Sequence, residues 1–509
     1  MPEPLPESLK TSSKQSDRDR HFRTDHLNAD LKKRSIRGGA VTLVAQACKF
    51  TLQMGSTVIL ARLLAPQDYG LVGMVTAVTG FVALFKDMGL SMATIQKAEI
   101  NHRQISNLFW VNIVVSLLLT LVTCAIAPVV AVFYNEPRLT LITIVSAIGF
   151  LFGGLTVQHQ ALLNRQMRFT ALAAIDIVAM GFGVVSALVL AWYGAGYWAL
   201  VVMQIAIAIG QMGGAWLLCS WRPSLPKRHA NIRELLTFGS HLTGFNVINY
   251  FARNLDNILI GRSWGAGQLG LYAKAYGLLL LPLQQINAPI TAVAIPSLSR
   301  LQADPQQFRN YYLKAVSLVT FLTLPLVILS IAISEEVVTL ILGSQWREAS
   351  FLFRFLGVAA IFQPLCNTAG WLYIATGKTD RMLKWGVFAS SLTVVSFFIG
   401  LPYGARGVAL CYAVAMLLQV YPCMYYATRG LEITTSDLFS AIAQSLVAAL
   451  IAGLATIGIK FALNPILPVW GIAIACTLVM AGLYVAIVFY LFGKKSFYLS
   501  FLREFKQRR

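Results

Sequence analysis

The sequence predicts an all-α membrane protein of about fourteen transmembrane helices, built as two pseudo-symmetric six-helix bundles plus two C-terminal helices. Three observations lead there: an apolar composition, a near-continuous series of apolar runs of spanning length, and an internal repeat with an offset of 200 residues. Of 509 residues, 57% are hydrophobic and 12% charged, and the mean hydropathy is +0.66. A water-soluble chain of this length carries roughly twice that share of charge. Crossing about 30 Å of hydrocarbon at 1.5 Å per residue takes roughly 20 apolar residues with every backbone group bonded internally.

Residues 1–37 are hydrophilic, with Pro2, Pro4 and Pro6 among many Ser, Asp, Lys and Arg, and read as a disordered cytoplasmic tail. No apolar segment followed by a small-residue cleavage site opens the chain, so the first helix is expected to be its own signal anchor. Apolar runs then place spans near 39–61, 70–93, 106–133, 139–163, 171–193, 196–219, 237–262, 270–297, 313–334, 350–374, 383–401, 405–427, 437–461 and 469–492. The seven cysteines fall in or beside these runs without the spacing of zinc or redox motifs, and read as small buried hydrophobes.

Basic residues set the expected orientation. With the N-terminus inside, the inner segments collect Lys32, Lys33, Arg34, Arg37, Lys97, Arg103, Arg165, Arg168, Arg222, Lys227, Arg228, Arg233, Arg300, Arg309, Lys314, Lys378, Arg381, Lys384, Arg429 and the tail from Lys494 to Arg509. The outer loops hold Arg62, Arg138, Arg262, Arg347 and Arg406. Such asymmetry puts both termini in the cytoplasm. It also accounts for the net charge of +20 through contact with anionic lipid, with no soluble basic domain of the kind that binds nucleic acid.

The longest inner connection, 220–236, is basic, contains Pro223 and Pro226, and reads as a linker and hinge between a bundle at 38–219 and one at 237–429. Residues 430–493 form the two additional helices and 494–509 a basic tail. The repeat pairs Gly39 with Gly239, Ala61-Arg62 with Gly261-Arg262, and Tyr69-Gly70-Leu71 with Leu269-Gly270-Leu271. Both copies open a span on the same side, as in parallel repeats about an axis along the membrane normal.

The repeat carries a polar stripe. Gln46, Lys49, Gln53 and Ser56 share one face of the first span, and Asn246, Asn249, Arg253 and Asp256 take the positions 200 further on in the seventh. A charge near the bilayer centre costs about 2.5–3.5 kcal/mol even on lenient insertion scales, so such residues face protein or water. Two inward polar faces describe a water-accessible cavity. Its bland alternative is that Arg253 and Asp256, three apart, pair on one helix and serve packing. Lys86, Asp87, Asp176 and Lys274 are the further candidates, for gating or coupling. Against that role, Lys86-Asp87 neutralises itself, and Asp176, Lys274 and Arg354 snorkel from helix ends. His159 and His241 sit near inner helix ends, where packing histidines are usual.

Other motifs fall away. Gly265-Ala266-Gly267-Gln268-Leu269-Gly270 fits the dinucleotide spacing but follows no strand, and reads as a glycine-rich turn. There is no Walker-type loop, and Glu335-Glu336, the nearest acidic pair, reads as a solvated helix end rather than glycosidic machinery. No enzyme, metal or bound cofactor is expected.

Ala61-Arg62-Leu63-Leu64-Ala65-Pro66-Gln67-Asp68-Tyr69-Gly70, Lys86-Asp87-Met88-Gly89-Leu90-Ser91, and Asn254-Leu255-Asp256-Asn257-Ile258-Leu259-Ile260-Gly261-Arg262 followed by Leu269-Gly270-Leu271-Tyr272 resemble the polysaccharide transporter family, in particular its colanic-acid-exporter-like Wzx branch. The likeness covers nearly all of the chain but the tails, and the long N-terminal tail departs from the compact family start. It implies the multidrug/oligosaccharidyl-lipid/polysaccharide exporter superfamily, alternating access driven by a proton or sodium gradient, and an undecaprenyl-diphosphate-linked oligosaccharide as cargo in the bacterial inner membrane. It also implies partnership with polysaccharide polymerase and glycosyltransferases. Lys49 and Arg253 take, by resemblance, the role of cationic cavity residues for diphosphate or acidic sugars, and Asp256 pairs with Arg253 or senses the coupling cation. Two other functions remain to be weighed: an exporter of cationic drugs, whose cavity should be acidic and aromatic, and a non-transporting scaffold of a polysaccharide assembly complex.

Overall fold

The computed structural model describes residues 31–87, 89–96, 100–226 and 233–494, with side chains left undescribed at 31–37, 40, 93, 96, 233–249, 251 and 252. Among the described residues the regular structure is entirely helical. The helices are α1 (Leu31–Leu63), α2 (Pro66–Ala83), α3 (Leu90–Gln96), α4 (His102–Tyr134), α5 (Arg138–Arg165), α6 (Phe169–Trp192), α7 (Trp198–Leu218) and α8 (Arg233–Arg300). They continue with α9 (Pro305–Ala332), α10 (Ser334–Leu342), α11 (Ala349–Ala375), α12 (Thr379–Gly400), α13 (Gly404–Thr428), α14 (Thr435–Leu463) and α15 (Val469–Ala486).

Among the described residues, 11 helical stretches are long and apolar enough to cross a membrane. One of them, Thr379–Thr428, runs for 50 residues and holds two of the expected spans, 383–401 and 405–427. The multi-pass membrane architecture is therefore as expected, while the number fourteen is not reproduced by this length criterion. Two boundaries differ. Helix α1 begins at Leu31, so residues 31–37 are helical rather than part of the tail, as the high helix propensity of Leu, Lys and Arg allows. The expected span 70–93 is broken. Helix α2 ends at Ala83, and Lys86 and Asp87 lie in a turn closed by Gly89 at φ +69° before α3 begins.

Side chains mark several helix starts. Asn101 accepts the Gln104 amide at 2.9 Å while the Gln104 side chain returns to the Asn101 amide, and Thr434 and Asp437 repeat this reciprocal cap at α14. Asp304 caps α9 on the Gln307 amide at 2.9 Å. Prolines inside α4, α8, α9, α11 and α13 are compatible with spanning helices, because neighbouring helices and Ser or Thr side chains re-satisfy the freed backbone groups.

The chain divides into two compact units, residues 1–254 and 255–509. In the first, α6 and α7 pack through small residues. A Cβ on Gly210 would lie 2.9 Å from Ala179 Cα, and one on Gly183 would meet Ile207 and the Met203 carbonyl. With no hydrophobic drive between helices in lipid, this close approach, and the dispersion it permits, holds them together. Helices α4 and α5 meet along Asn112, Ser116, Thr120 and Thr123, a buried polar row spaced four, four and three. Gly154 of α5 leaves the room that the Ser116 side chain fills.

The described start of the 220–236 connection is strapped to this unit. The Trp221 indole donates to His102 Nδ1 at 3.0 Å, the Ser224 amide to Ser106 Oγ at 3.1 Å, and the Trp110 indole to the Ser224 carbonyl at 2.9 Å. Arg222 binds the Trp216, Cys219 and Trp221 carbonyls. Beneath them His159 stacks on Trp216 with ring centroids 4.6 Å apart, between Phe109 and Trp221. Its packing role is the expected one. The unit extends to Asn254, because Tyr250 of α8 donates its hydroxyl to the Ala77 carbonyl of α2 at 2.9 Å.

In the second unit α8 breaks at Gly265, whose φ of +78° and ψ of −179° suit glycine alone, so the glycine-rich turn is where the sequence puts it. Helices α12 and α13 touch backbone to backbone at Gly400 and Gly407, the counterpart of the α6–α7 contact. An arginine repeats as well. Arg168 donates to the Leu218 carbonyl at the end of α7, and Arg381 to the Arg429 carbonyl just past α13, at 2.9 and 2.8 Å. A cation at a helix C-terminus favours the dipole there. Helix α14 lies against α9, with Gly453 admitting Ile328, and Arg309 of α9 grips Asp437 through two hydrogen bonds of 2.6 and 3.1 Å.

Of the acidic pair, Glu335 stays at the solvated surface as the sequence suggests, with 36% of its side chain exposed, whereas Glu336 does not. Glu335 pairs with Arg347 at 2.7 Å, and Glu336, buried, pairs with Lys460 of α14 at 2.7 Å. Sequence reading misplaces Glu336 because its partner is remote in the chain, 124 residues away.

Candidate functional site

The first unit brings together two residues that sequence reading kept apart. Lys49 Nζ of α1 lies 2.8 Å from Asp176 Oδ2 of α6, across 127 residues of chain. Asp176 is therefore an ion-pair partner rather than a carboxylate reaching for headgroups. Both side chains stay partly exposed. Gln46 and Gln53, one helical turn to either side of Lys49, are exposed, and Ser56 turns its buried hydroxyl onto the Gln53 carbonyl at 2.9 Å. The stripe thus presents one ammonium group between two carboxamides, with a single carboxylate as its counterion. Such a set can exchange that carboxylate for another anion rich in oxygen, because the ammonium is a point charge that accepts any acceptor geometry.

The second stripe is less uniform. Asn246 and Asn249 lie outside the residues whose side chains are described, as does His241. Arg253 is exposed, whereas Asp256 is buried with 4% of its surface exposed. The Asp256 carboxylate accepts the Tyr272 hydroxyl at 2.9 Å and the Asn257 amide at 2.8 Å. Asp256 is therefore bonded to a tyrosine that the sequence reading did not select. Tyr272 and Tyr276 stand four apart, one helical turn, and that spacing was the available signal.

The remaining candidates separate. Lys86 extends along α5, where a Cβ on Gly153 would lie 2.9 Å from its Nζ. Asp87 does not spend itself on Lys86. Its carboxylate accepts the amide of Ser91 at 2.9 Å, and its hydroxyl as well, which fixes the entry to α3. Lys274 is half-buried on α8. Arg354 does not snorkel freely but donates to Ser334 Oγ at 2.6 Å, and it shares the exposed Phe351 ring with Arg406, at 5.5 and 5.0 Å from the centroid. No group of three or more His, Cys, Asp or Glu suited to a metal occurs among the described residues.

Residues 59–351, more than half of the chain, match the family model described as polysaccharide biosynthesis protein. The chain belongs to that family. Among the relatives of this polysaccharide biosynthesis protein is the teichuronic acid biosynthesis protein TuaB of Bacillus subtilis, 26% identical over 84% of this chain and 90% of its own length. The lipopolysaccharide biosynthesis protein WzxC of Escherichia coli is 24% identical over 76% of this chain and 80% of its own. The succinoglycan biosynthesis transport protein ExoT of Rhizobium meliloti is 22% identical over 83% and 87%. Of solved structures, the lipid II flippase MurJ in an inward closed conformation superposes with a TM-score of 0.71 at 13% identity, covering 90% of this chain and 99% of MurJ. An inward-facing multidrug resistance MATE family transporter of the MOP superfamily superposes at 0.56 and 15% identity, over 75% and 94%. The chain accordingly has a MurJ- and MATE-like fold, as the resemblance of its motifs implies.

Proposed function

We propose that this protein is a flippase that carries a lipid-linked oligosaccharide, an undecaprenyl-diphosphate intermediate of polysaccharide synthesis, across the bacterial inner membrane by alternating access. The observation that carries this reading is a MurJ-like fold in a chain that belongs to the polysaccharide biosynthesis family. The relatives' names supply the class of cargo.

In this reading the Lys49 ammonium, held between Gln46 and Gln53, receives the diphosphate and gives up Asp176 as it does so. Asp176 keeps the site neutral while it is empty, which avoids the cost of a lone charge in a low-dielectric bundle. Arg253, exposed, is a second cation for phosphate or acidic sugar. Both termini face the cytoplasm, the energy comes from an ion gradient, and the chain catalyses no covalent step. Membrane lipids, the cargo and the glycosyltransferases and polymerase that make and consume it are its partners.

The test is deletion of the gene followed by complementation. Polymer should disappear from the surface, lipid-linked units should accumulate inside, and the wild-type gene should restore both while Lys49→Ala does not. Normal surface polymer in the deletion strain would overturn the reading.

A further inference from the structure

Two arginines of the second unit stand at one aromatic ring with no carboxylate to balance them. Phe351, the third residue of α11, is 46% exposed, and the Arg354 and Arg406 guanidinium carbons lie 5.5 and 5.0 Å from its centroid. Arg354 follows one turn along the same helix, and Arg406 is the third residue of α13. Among the described residues neither arginine forms an ion pair. The neighbouring acids are engaged elsewhere. Arg354 donates its Nε to the Ser334 hydroxyl at 2.6 Å, yet of the two glutamates that follow Ser334 one holds Arg347 and the other Lys460. Glu348, exposed three residues before Phe351, pairs with neither arginine.

The fold holds both groups in place. Ser334 fixes Arg354. Arg406 follows Gly404, whose φ of +75° turns the chain into α13, and Trp264 of α8 closes that turn. Its indole donates to the Leu401 carbonyl at 2.7 Å, and a Cβ on Gly404 would lie 3.7 Å from its ring. Among the described residues Arg406 donates no hydrogen bond and Arg354 donates only through Nε, so most of the N–H groups of both forks are open to a ligand.

Two like charges on one ring repel, and cation–π attraction at an exposed site offsets only about 0.5–1 kcal/mol of that. An anion that accepts from both relieves the repulsion. Guanidinium matches the oxygen pairs of a phosphate in a planar, bidentate way, which a single ammonium such as that of Lys49 does not. The surroundings point to a phosphate carried by lipid. Trp264 and Tyr403, exposed like Phe351, stand at the same helix starts, and aromatic rings of this kind settle at the headgroup level of a bilayer, where the phosphates lie.

We infer that Arg354 and Arg406, braced on Phe351, bind the phosphodiester of an anionic phospholipid at the end of the second unit where α11 and α13 begin. The site shares no residue with the Lys49 stripe, and the inference stands without the flippase reading.

The experiment is native mass spectrometry of the full-length protein in detergent, with phosphatidylglycerol, diacylglycerol and undecaprenyl diphosphate as probes and the one-to-one complex as the readout. The protein should retain phosphatidylglycerol in preference to diacylglycerol, which lacks the phosphate. Retention should fall about tenfold or more in Arg354→Gln combined with Arg406→Gln, because charge-assisted hydrogen bonds are lost. Arg354→Lys combined with Arg406→Lys keeps both charges without the planar forks and should fall between the two, which keeps the test open if the first variant does not fold. Equal retention of diacylglycerol, or wild-type retention by the glutamine variant, would overturn the site. Displacement of phosphatidylglycerol by an equimolar amount of undecaprenyl diphosphate would overturn the phospholipid as its source. Normal surface polymer in the deletion strain would sink the flippase reading and leave the lipid result standing, so the two failures are distinguishable.

Discussion

Glu336 and Lys460 form an ion pair of 2.7 Å with 8% and 15% of their side chains exposed, and Lys460 also donates to the Ala332 carbonyl at 3.3 Å. The pair joins α10 to α14, while Arg309–Asp437 joins α9 to α14 through residues near the N-terminal ends of both helices. Helix α14 is thereby fastened at both of its ends.

Removing one partner of a buried pair leaves the other charge uncompensated, which costs about 3–5 kcal/mol, whereas replacing both by apolar residues is often close to neutral. Glu336→Ala should lower thermal stability in detergent strongly, and Glu336→Leu combined with Lys460→Met should recover most of it. A double variant as unstable as the single one would show that the pair is not what α14 depends on.

The Lys49–Asp176 pair predicts a different pattern, because both groups are partly exposed and such pairs contribute only about 0.2–1 kcal/mol. Stability of Lys49→Ala should change little while export collapses. The exchanged variant, Lys49→Asp with Asp176→Lys, keeps an ion pair but moves the cation to α6, and should remain defective. Thermal melts beside a surface-polymer assay separate the two effects. Wild-type export from the exchanged protein would mean that charge balance, not the ammonium on α1, is what matters.

At the Gly400–Gly407 contact, a side chain at either position enters the other helix's backbone. Gly400→Val should cost about 1–3 kcal/mol from overpacking and reduce the amount of protein recovered from membranes. Gly458, around which a Cβ meets open space, is the control site, where Gly458→Ala should be tolerated.

Glu136, between α4 and α5, accepts two hydrogen bonds of 2.8 Å from Arg138, which hold its carboxyl below the usual glutamate range. A carboxyl depressed in the folded state contributes stability above its unfolded value of about 4.3 and loses it as the pH falls through the folded one. At this exposure the contribution is within about 1 kcal/mol. Arg138→Gln should therefore lower the melting temperature slightly at neutral pH and not at strongly acid pH; an equal loss at both would remove the ion pair as its cause.

Much of this was legible beforehand. Thr379–Thr428 carries two expected spans, and the turn at Gly265 falls where the glycines cluster, because both depend on local sequence. Lys49 was legible as an anomalous charge in an apolar run. Its partner was not, since helical periodicity orders residues on one face but says nothing of a second helix 127 residues away. The break after Ala83 was missed for a related reason: the apolar run continues through it, and only the Asp87 carboxylate on Ser91 and the left-handed Gly89 reveal the stop.

By itself the sequence determined that this chain is a multi-pass helical membrane protein with a repeated plan and a transporter's family signature, because apolar length, glycine punctuation and repeat spacing are properties of neighbouring residues. Tertiary structure alone decided how the charges are spent. Lys49 answers Asp176, Glu336 answers Lys460, and Asp256 turns to the Tyr272 hydroxyl rather than standing open with Arg253. The physical reason is that a charge in a membrane-embedded bundle must find its compensation in space, and helices remote in the chain are what the fold brings within 3 Å of it.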